Sequence, residues 1–316
     1  MKNMGANTKT KAKPFLKWAG GKTQLLHTFS NYYPHALQEG EIKRYVEPFI
    51  GSGAVLFDIG QTFELDEIHM VDINPELITL YRVIKKNVEP LITALQEKEE
   101  EFLSYPHGSE ERKACYYDVR ENFNHQIDGI TDIYHENNVT RAMQFIFLNR
   151  TCFNGLFRVN KKGHYNVPMG DYKSPTICDA DNLRAVHDFL QRVEIHLGDY
   201  RQSRSLIDKD TFVYFDPPYR PLNVTSSFTS YSKFEFNDHN QRELAHYYRE
   251  LDKSGAKLML SNSDPKNVNE EDNFFDDLYE DYHINRVAAR RNINSKGSGR
   301  GQVSELLITN YNAENR

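Results

Sequence analysis

Asp216-Pro217-Pro218-Tyr219 comes directly after residues 211–215, a run that reads as a buried strand. In an open α/β sheet, ligands bind beyond the carboxyl ends of the strands, so this tetrapeptide stands where chemistry is done. An aromatic exocyclic amine such as that of adenine is a poor nucleophile, because its lone pair is delocalised into the ring. A carboxylate and a neighbouring backbone carbonyl can accept its two hydrogens, draw the nitrogen towards tetrahedral geometry and free the lone pair. Pro217 and Pro218 donate no backbone N–H and stiffen the turn, which fixes the acceptors in advance. The Tyr219 ring can stack on the base. The plain alternative is a proline-rich turn with a capping aspartate.

A second constellation is Glu47-Pro48-Phe49-Ile50-Gly51-Ser52-Gly53. Glycines at a strand-to-helix turn let a ligand come close to the backbone. Asp72 ends the following strand and stands 19 residues after Gly53, the spacing at which an acid meets ribose hydroxyls. The third glycine of a dinucleotide fingerprint is missing, which suits a nucleoside without a pyrophosphate. Asp72 also reads as an acid favoured by a helix N-terminus. Residues 15–23 end Gly-Gly-Lys-Thr like a phosphate loop, but Leu16 stands where glycine is required and no apolar strand precedes it. Trp18 and Lys22 instead offer an apolar surface and a cation for a ligand carboxylate, with Gly20 between them. A tryptophan in the core is the alternative.

The elements that must hold these residues follow from the pattern. Residues 44–49, 67–72, 193–199, 211–218, 256–262 and 303–311 read as strands. A helix is predicted after Asn74, a plausible cap, with Pro75 at its first position. This β-α-β-α order marks a parallel sheet. Residues 85–150 change character, being charged and rich in helix formers, and read as inserted amphipathic helices. Residues 156–167 alternate and break at Lys161-Lys162-Gly163, which predicts a β-hairpin. The expected division is 1–84 with 185–316 for an α/β domain, and 85–184 for the insert.

Composition bounds the rest. With 316 residues, 39% hydrophobic and 27% charged, the chain can bury a sizeable core. No apolar run approaches the ~20 residues of a membrane span, and the polar N-terminus is unlike a signal peptide. Three cysteines without a C-x-x-C, and no H-E-x-x-H, give no disulfide framework and no expected metal site, and point to a reducing cytoplasm. The net charge of -6 argues against a nucleic-acid partner, but its distribution does not. Lys2, Lys9, Lys11, Lys13, Lys17 and Lys22 precede any acid. Arg150, Arg158, Lys161 and Lys162 form a second basic stretch, and Arg286, Arg290, Arg291, Lys296 and Arg300 a third. Such patches suit phosphate binding, or are solvated faces.

Taken together and in this order, the segments FLKWAGGK, EPFIGSGAV, VDINPELI and FDPPY resemble those of DNA adenine-N6 methyltransferases of the Dam type. The likeness covers most of the chain, including the C-terminal RRNINSKGSGRGQVSELLITNY. It implies a Rossmann-like methyltransferase sheet with an inserted, mainly helical target-recognition domain carrying the hairpin. It implies S-adenosylmethionine as methyl donor and S-adenosylhomocysteine as product. By position, Trp18, Gly20, Lys22, Pro48, Phe49, Gly51, Ser52, Gly53, Asp72, Ile73, Asp199, Tyr200 and Asp216 match cofactor contacts. Asp216, Pro217, Pro218 and Tyr219 match the catalytic motif.

Residues 149–158 and 164–170 resemble the hairpin of members that read GATC in double-stranded DNA. There Lys17, Leu156, Arg158 and Pro168 match base-contacting positions, and Arg150, Asn154 and Asn166 fall in the same DNA-facing group. Arg158 can donate to guanine in the major groove. Phe153 matches a position where many members carry a tyrosine that inserts into the base stack, and phenylalanine keeps the stacking. The implied course is base flipping followed by direct methyl displacement, with Asp216 an acceptor rather than a strong base.

Competing chemistries leave marks. Cytosine-C5 methylation needs a cysteine nucleophile, usually after proline, and Ala114, Thr151 and Ile177 precede the three cysteines. Cytosine-N4 methylation shares the amine chemistry, and Asp at the head of the motif favours adenine by resemblance. Another DNA site, an RNA substrate and a silent DNA-binding protein are the remaining readings, the last marked by a broken cofactor motif that this sequence does not have. A monomer suffices for a palindrome, one strand at a time. A partner restriction endonuclease would be genetic rather than physical, and a solitary regulatory role would look the same in sequence.

Overall fold

The computed structural model describes residues 10–129, 133–220, 236–290 and 302–313. Lys2, Lys9, Arg291, Lys296 and Arg300 of the basic stretches lie outside them. The chain forms two compact units, Met1–Ala19 with Pro75–Val193, and Gly20–Asn74 with Glu194–Arg316. The strands are β1 (Arg44–Glu47), β2 (Glu67–Asp72), β3 (Val193–Leu197), β4 (Thr211–Phe215), β5 (Lys257–Ser263), β6 (His283–Arg290) and β7 (Gln302–Thr309). The α-helices are α1 (Leu26–Phe29), α2 (His35–Gln38), α3 (Ala54–Thr62), α4 (Pro75–Ser104), α5 (Glu110–Gly129), α6 (Val139–Thr151), α7 (Ala180–Leu190), α8 (Asp238–Asp252) and α9 (Phe274–Leu278).

Among the described residues the sheet has seven strands in the order β3-β2-β1-β4-β5-β7-β6. β1 pairs in parallel with β2 and β4, and β4 with β5, whereas β7 runs antiparallel to both β5 and β6. Strand order therefore reverses between β1 and β4, the topological switch at which α/β sheets bind ligands. β4 is buried along its whole length, as expected of a central strand covered on both faces. Its Val213 and Phe215 meet Leu244, Tyr248 and Leu251 of α8 in one core cluster. α8 starts on an Asn237–Asn240 capping box.

β6 is absent from the predicted strands, because residues 283–290 fall in a stretch dominated by its basic residues. Arg286 of that stretch is turned to structural use: it pairs with Asp264 at 3.0 Å and Asp276 at 2.8 Å.

The helical unit is built on α4, which carries Leu77, Leu80, Tyr81, Ile84, Leu91 and Leu95 inward. Asn87 leaves helical geometry (φ -133°, ψ 44°) three residues before Pro90. Proline lacks the N–H of the helical ladder and crowds the preceding turn, which accounts for the kink. Arg141 on α6 is fully buried, forks onto Glu76 of α4, and lies 3.9 Å from the Phe123 ring centre. A buried pair like this costs little while both partners are satisfied and much if one is removed.

The predicted hairpin is a ribbon with two isolated bridges, Cys152–Met169 and Val159–Tyr165, rather than a ladder of regular strands. Its reversal lies at Asn160–His164, where the Asn160 N–H donates to the His164 carbonyl at 2.8 Å. Gly163 supplies the left-handed backbone there (φ 84°).

Candidate active site and nucleic-acid interface

The parallel register places Phe215 beside Leu260, so the next residues, Asp216 and Ser261, emerge together. Ser261 Oγ donates to Asp216 Oδ1 at 3.0 Å, and the Tyr214 hydroxyl lies 2.7 Å from that same Oγ. Lys22 Nζ sits 2.8 Å from Asp216 Oδ1 and 2.9 Å from Oδ2. It also donates to the Gly20 carbonyl at 2.6 Å and lies 4.7 Å from the centre of the Tyr219 ring. Lys22 is only 3% exposed, although it carries a charge. Burial pushes the Asp216 carboxyl up from its ordinary value, and the Lys22 ammonium and the Ser261 hydroxyl oppose it. Glu47, at the end of β1, is buried with the Tyr45 hydroxyl on it at 2.7 Å. Its carboxyl is also pushed up, by burial above all.

The proline turn is tied on both sides. Gln241 of α8 donates to the Pro218 carbonyl at 3.0 Å and accepts from Asn262 at 3.2 Å. The Tyr219 hydroxyl donates to Glu305 of β7 at 2.8 Å. Pro217 is buried and Pro218 exposed.

The glycine loop lies at the neighbouring strand ends. Gly51 (φ 48°) and Gly53 (φ 71°) are left-handed, conformations that strain any residue with a Cβ. The loop closes through Gly53 N–H to the Ile50 carbonyl at 2.8 Å. Asp72 accepts N–H groups from Gly51 at 3.3 Å and Asn74 at 2.8 Å. Burial outweighs these hydrogen bonds and lifts its carboxyl to about 6. Beside it Ile73 stands 41% exposed. Pro48 and Ser52 are buried. Phe49 stacks on Tyr200 with centroids 5.3 Å apart. Tyr200 is itself a core residue, next to the half-exposed Asp199. The Asp199 carboxylate caps Arg201 N at 3.0 Å.

Trp18 falls in the helical unit, stacked on Phe157 at 5.9 Å and 17°. The expected cofactor segment 15–23 is thus divided between the units after Ala19.

Every residue matched to DNA contact lies in the helical unit. Asn149 of α6 accepts the Lys17 N–H at 2.9 Å and donates to the Lys17 and Gly155 carbonyls at 2.8 and 3.1 Å. That staple lays Lys17 against Gly155, whose left-handed backbone (φ +63°) leaves no room for a Cβ. The Phe153 N–H donates to the Pro168 carbonyl at 2.9 Å, and the Phe153 ring is 53% exposed. Asn154 takes φ 57° without being glycine, a strained conformation of the kind that gathers at functional sites. Arg158 Nε donates to Asn166 Oδ1 at 2.8 Å, while the Asn166 N–H returns to the Arg158 carbonyl at 3.2 Å. Leu156 is half-buried in the same ribbon. Arg150 differs: it is largely buried, which pulls its guanidinium down against the pull of Asp179 and Glu99.

Sequence reasoning missed Gln241, Ser261 and Glu305, the residues that brace the turn. Their types are ordinary, and only the Ser-Asn pair at the end of a predicted strand could have drawn attention.

The chain is similar to known DNA methyltransferases over most of its length. The family described as D12 class N6 adenine-specific DNA methyltransferase matches residues 18–293. The chain is 51% identical to the type II methyltransferase M.MjaIII of Methanocaldococcus jannaschii, over 95% of this chain and 99% of that protein. It is 36% identical to the type II methyltransferase M1.LlaDCHI of Lactococcus lactis subsp. cremoris, over 98% and 99%. Against the DNA adenine methylase of Escherichia coli (strain K12) it is 33% identical, over 94% and 95%.

Proposed function

The chain belongs to the D12 class N6 adenine-specific DNA methyltransferases, and from that premise we propose that it uses S-adenosylmethionine to methylate adenine in double-stranded GATC. The observation that carries the proposal is the Asp216 carboxylate at the end of β4, held by Ser261 and Lys22 in a turn that α8 and β7 brace.

The residues present fit the donor. Lys22 is a buried ammonium suited to the methionine carboxylate, and Asp72 is a carboxylate suited to the ribose hydroxyls. Ile73 offers an exposed apolar side chain for the adenine, and Phe49 supports it. Pro48, Gly51, Ser52 and Gly53 allow close backbone approach, and Asp199 and Tyr200 flank the adenine. S-adenosylmethionine supplies an activated methyl group. The chain's own work is to orient and to hold protons. Asp216 and the Pro217 carbonyl accept the two amine hydrogens of the flipped adenine, and the Tyr219 ring stacks on the base. The amine gains a methyl and gives up one proton, which leaves through Asp216. Orientation supplies most of the acceleration.

Residues 85–184 serve as the DNA-recognition module in this proposal. Arg158, oriented by Asn166, reads guanine; Lys17, Leu156 and Pro168 complete the base contacts, Asn154 shapes the loop beside them, and the largely buried Arg150 supports them from within. Phe153 fills the stack left by the flipped base. A monomer acts on one strand at a time. The names of the two type II relatives favour a restriction-modification setting. Three free cysteines support a reducing, cytoplasmic home, and among the described residues no helix is long and apolar enough to cross a membrane.

The test is incubation with S-adenosylmethionine and unmethylated mixed-sequence duplex DNA, followed by sequencing that detects N6-methyladenine. Methylation confined to GATC is expected. Methylated adenine at another site would keep the chemistry and discard the specificity. No dependence on added S-adenosylmethionine would discard the donor.

A further inference from the structure

The tripeptide Glu-Ile-His occurs twice in the sheet unit, at 67–69 on β2 and 194–196 on β3. These strands are hydrogen-bonded neighbours, with β3 at the sheet edge. Alternate residues of a strand share a face, so each strand presents a glutamate and a histidine together. His69 Nδ1 and His196 Nε2 lie 3.2 Å apart. Glu194 Oε2 lies 3.8 Å from each of those two atoms. A point equidistant from the three is about 2.1 Å from each, as those sides require. That is the length of a bond from zinc to an imidazole nitrogen or a carboxylate oxygen.

The surroundings match a metal ligand set as well. His69 Nε2 lies 3.2 Å from Glu67 Oε2, and Arg44 Nε holds that same oxygen at 2.8 Å. A carboxylate on the outer nitrogen keeps the proton there and turns the Nδ1 lone pair to the centre, as in histidines that ligate metals. His69 is buried, while Glu194 is 70% exposed, so one side is open to water as a further ligand.

We propose that His69, Glu194 and His196 bind one late first-row divalent cation, zinc in preference to magnesium or calcium given the nitrogen donors. The ion braces the edge strand against β2. It stands apart from Asp216 and takes no part in methyl transfer. What it holds is the alignment of the two strand ends, where Gly198 N–H donates to the Asp72 carbonyl at 3.0 Å. The competing arrangement of the same atoms is a direct hydrogen bond from His196 Nε2 to His69 Nδ1, with no affinity for metal.

The two are separated by stripping the full chain with a chelator and titrating it with Co²⁺, read by ligand-field absorption, then displacing with Zn²⁺. One equivalent per chain and a rise in Tm on loading are expected. His196→Ala and Glu194→Gln are expected to lose that equivalent, with methyl transfer by the stripped proteins equal to that of the stripped wild type. Glu67→Gln is expected to weaken binding by about 10- to 100-fold, as loss of an outer carboxylate does. If His196→Ala does not fold, Glu194→Gln, an isosteric change on an exposed side chain, decides alone. Absence of stoichiometric binding, or binding unchanged in Glu194→Gln, would overturn the proposal.

Discussion

Lys22 and Asp216 are 194 positions apart in sequence, yet the ammonium of one touches both carboxylate oxygens of the other. Two residues matched to different ends of the reaction, one to the donor's carboxylate and one to the acceptor's amine, are thus electrostatically one group. Lys22→Met leaves the Ser261 hydroxyl to oppose burial of Asp216 without the ammonium, so its carboxyl rises further. The ionised acceptor is then complete only at higher pH, and the acidic limb of the pH–rate profile moves upward. Donor affinity falls roughly tenfold to a hundredfold, the worth of one lost charge-assisted contact. A pH–rate profile with calorimetric titration checks both; an unmoved acidic limb refutes the coupling.

Asp216→Asn keeps the size of the side chain but offers only one oxygen to the amine and the Ser261 hydroxyl. The single-turnover methylation rate is expected to drop by about 10²-fold or more, the cost of a lost preorganised group. DNA affinity is expected to stay put, because the DNA-matched residues lie in the other compact unit.

Asp72 predicts a pH effect on stability. Its carboxyl stands at about 6 in the folded protein against an ordinary 3.8. Between those values the folded protein keeps a proton that the unfolded chain has released. Its contribution to stability is therefore full below the ordinary value and is lost as pH rises to about 6. The raised carboxyls of Asp216 and Glu47 act in the same sense. The difference in Tm between wild type and Asp72→Asn should change across pH 4 to 6 and be flat above. A constant difference throughout would contradict the raised carboxyl of Asp72.

Arg158 Nε donates to Asn166 Oδ1, so in the proposed function Asn166 orients the side chain that meets guanine. Arg158→Ala is expected to relax discrimination at one guanine by about 1–3 kcal/mol. Asn166→Ala should relax it at the same position by less, while leaving total DNA affinity nearly intact. Competition between duplexes that differ at single positions measures both; loss at a different base would reassign the contact.

Gly155→Ala tests the staple around Lys17. The added Cβ would meet Lys17 Cβ and Cδ at 2.4 Å, on a left-handed backbone. The strain costs about 1–2 kcal/mol, and Lys17 must move. Tm and DNA affinity should both fall with S-adenosylmethionine affinity unchanged.

The sheet was legible where burial leaves one sign: β2 matches its predicted span at both ends, and β4 is a continuous apolar run. β6 was not, since Arg286 reads as surface charge until Asp264 and Asp276 are found beside it. The site divides the same way. Asp216 and Asp72 announce themselves by type and spacing, whereas Gln241, Ser261 and Glu305 act through strand register and helix placement, which sequence order does not contain. The two Glu-Ile-His copies were equally silent, because the proposed ligand set is complete only when β2 and β3 lie side by side.

Asn149 gathers the backbone of Lys17 from 132 positions away. The segment around Lys17 cannot make this contact until α6 has been synthesised, so it settles with the helical unit rather than with the sheet that follows it in sequence. Loss of the Asn149 side chain would loosen that unit and leave the core of the sheet unit in place.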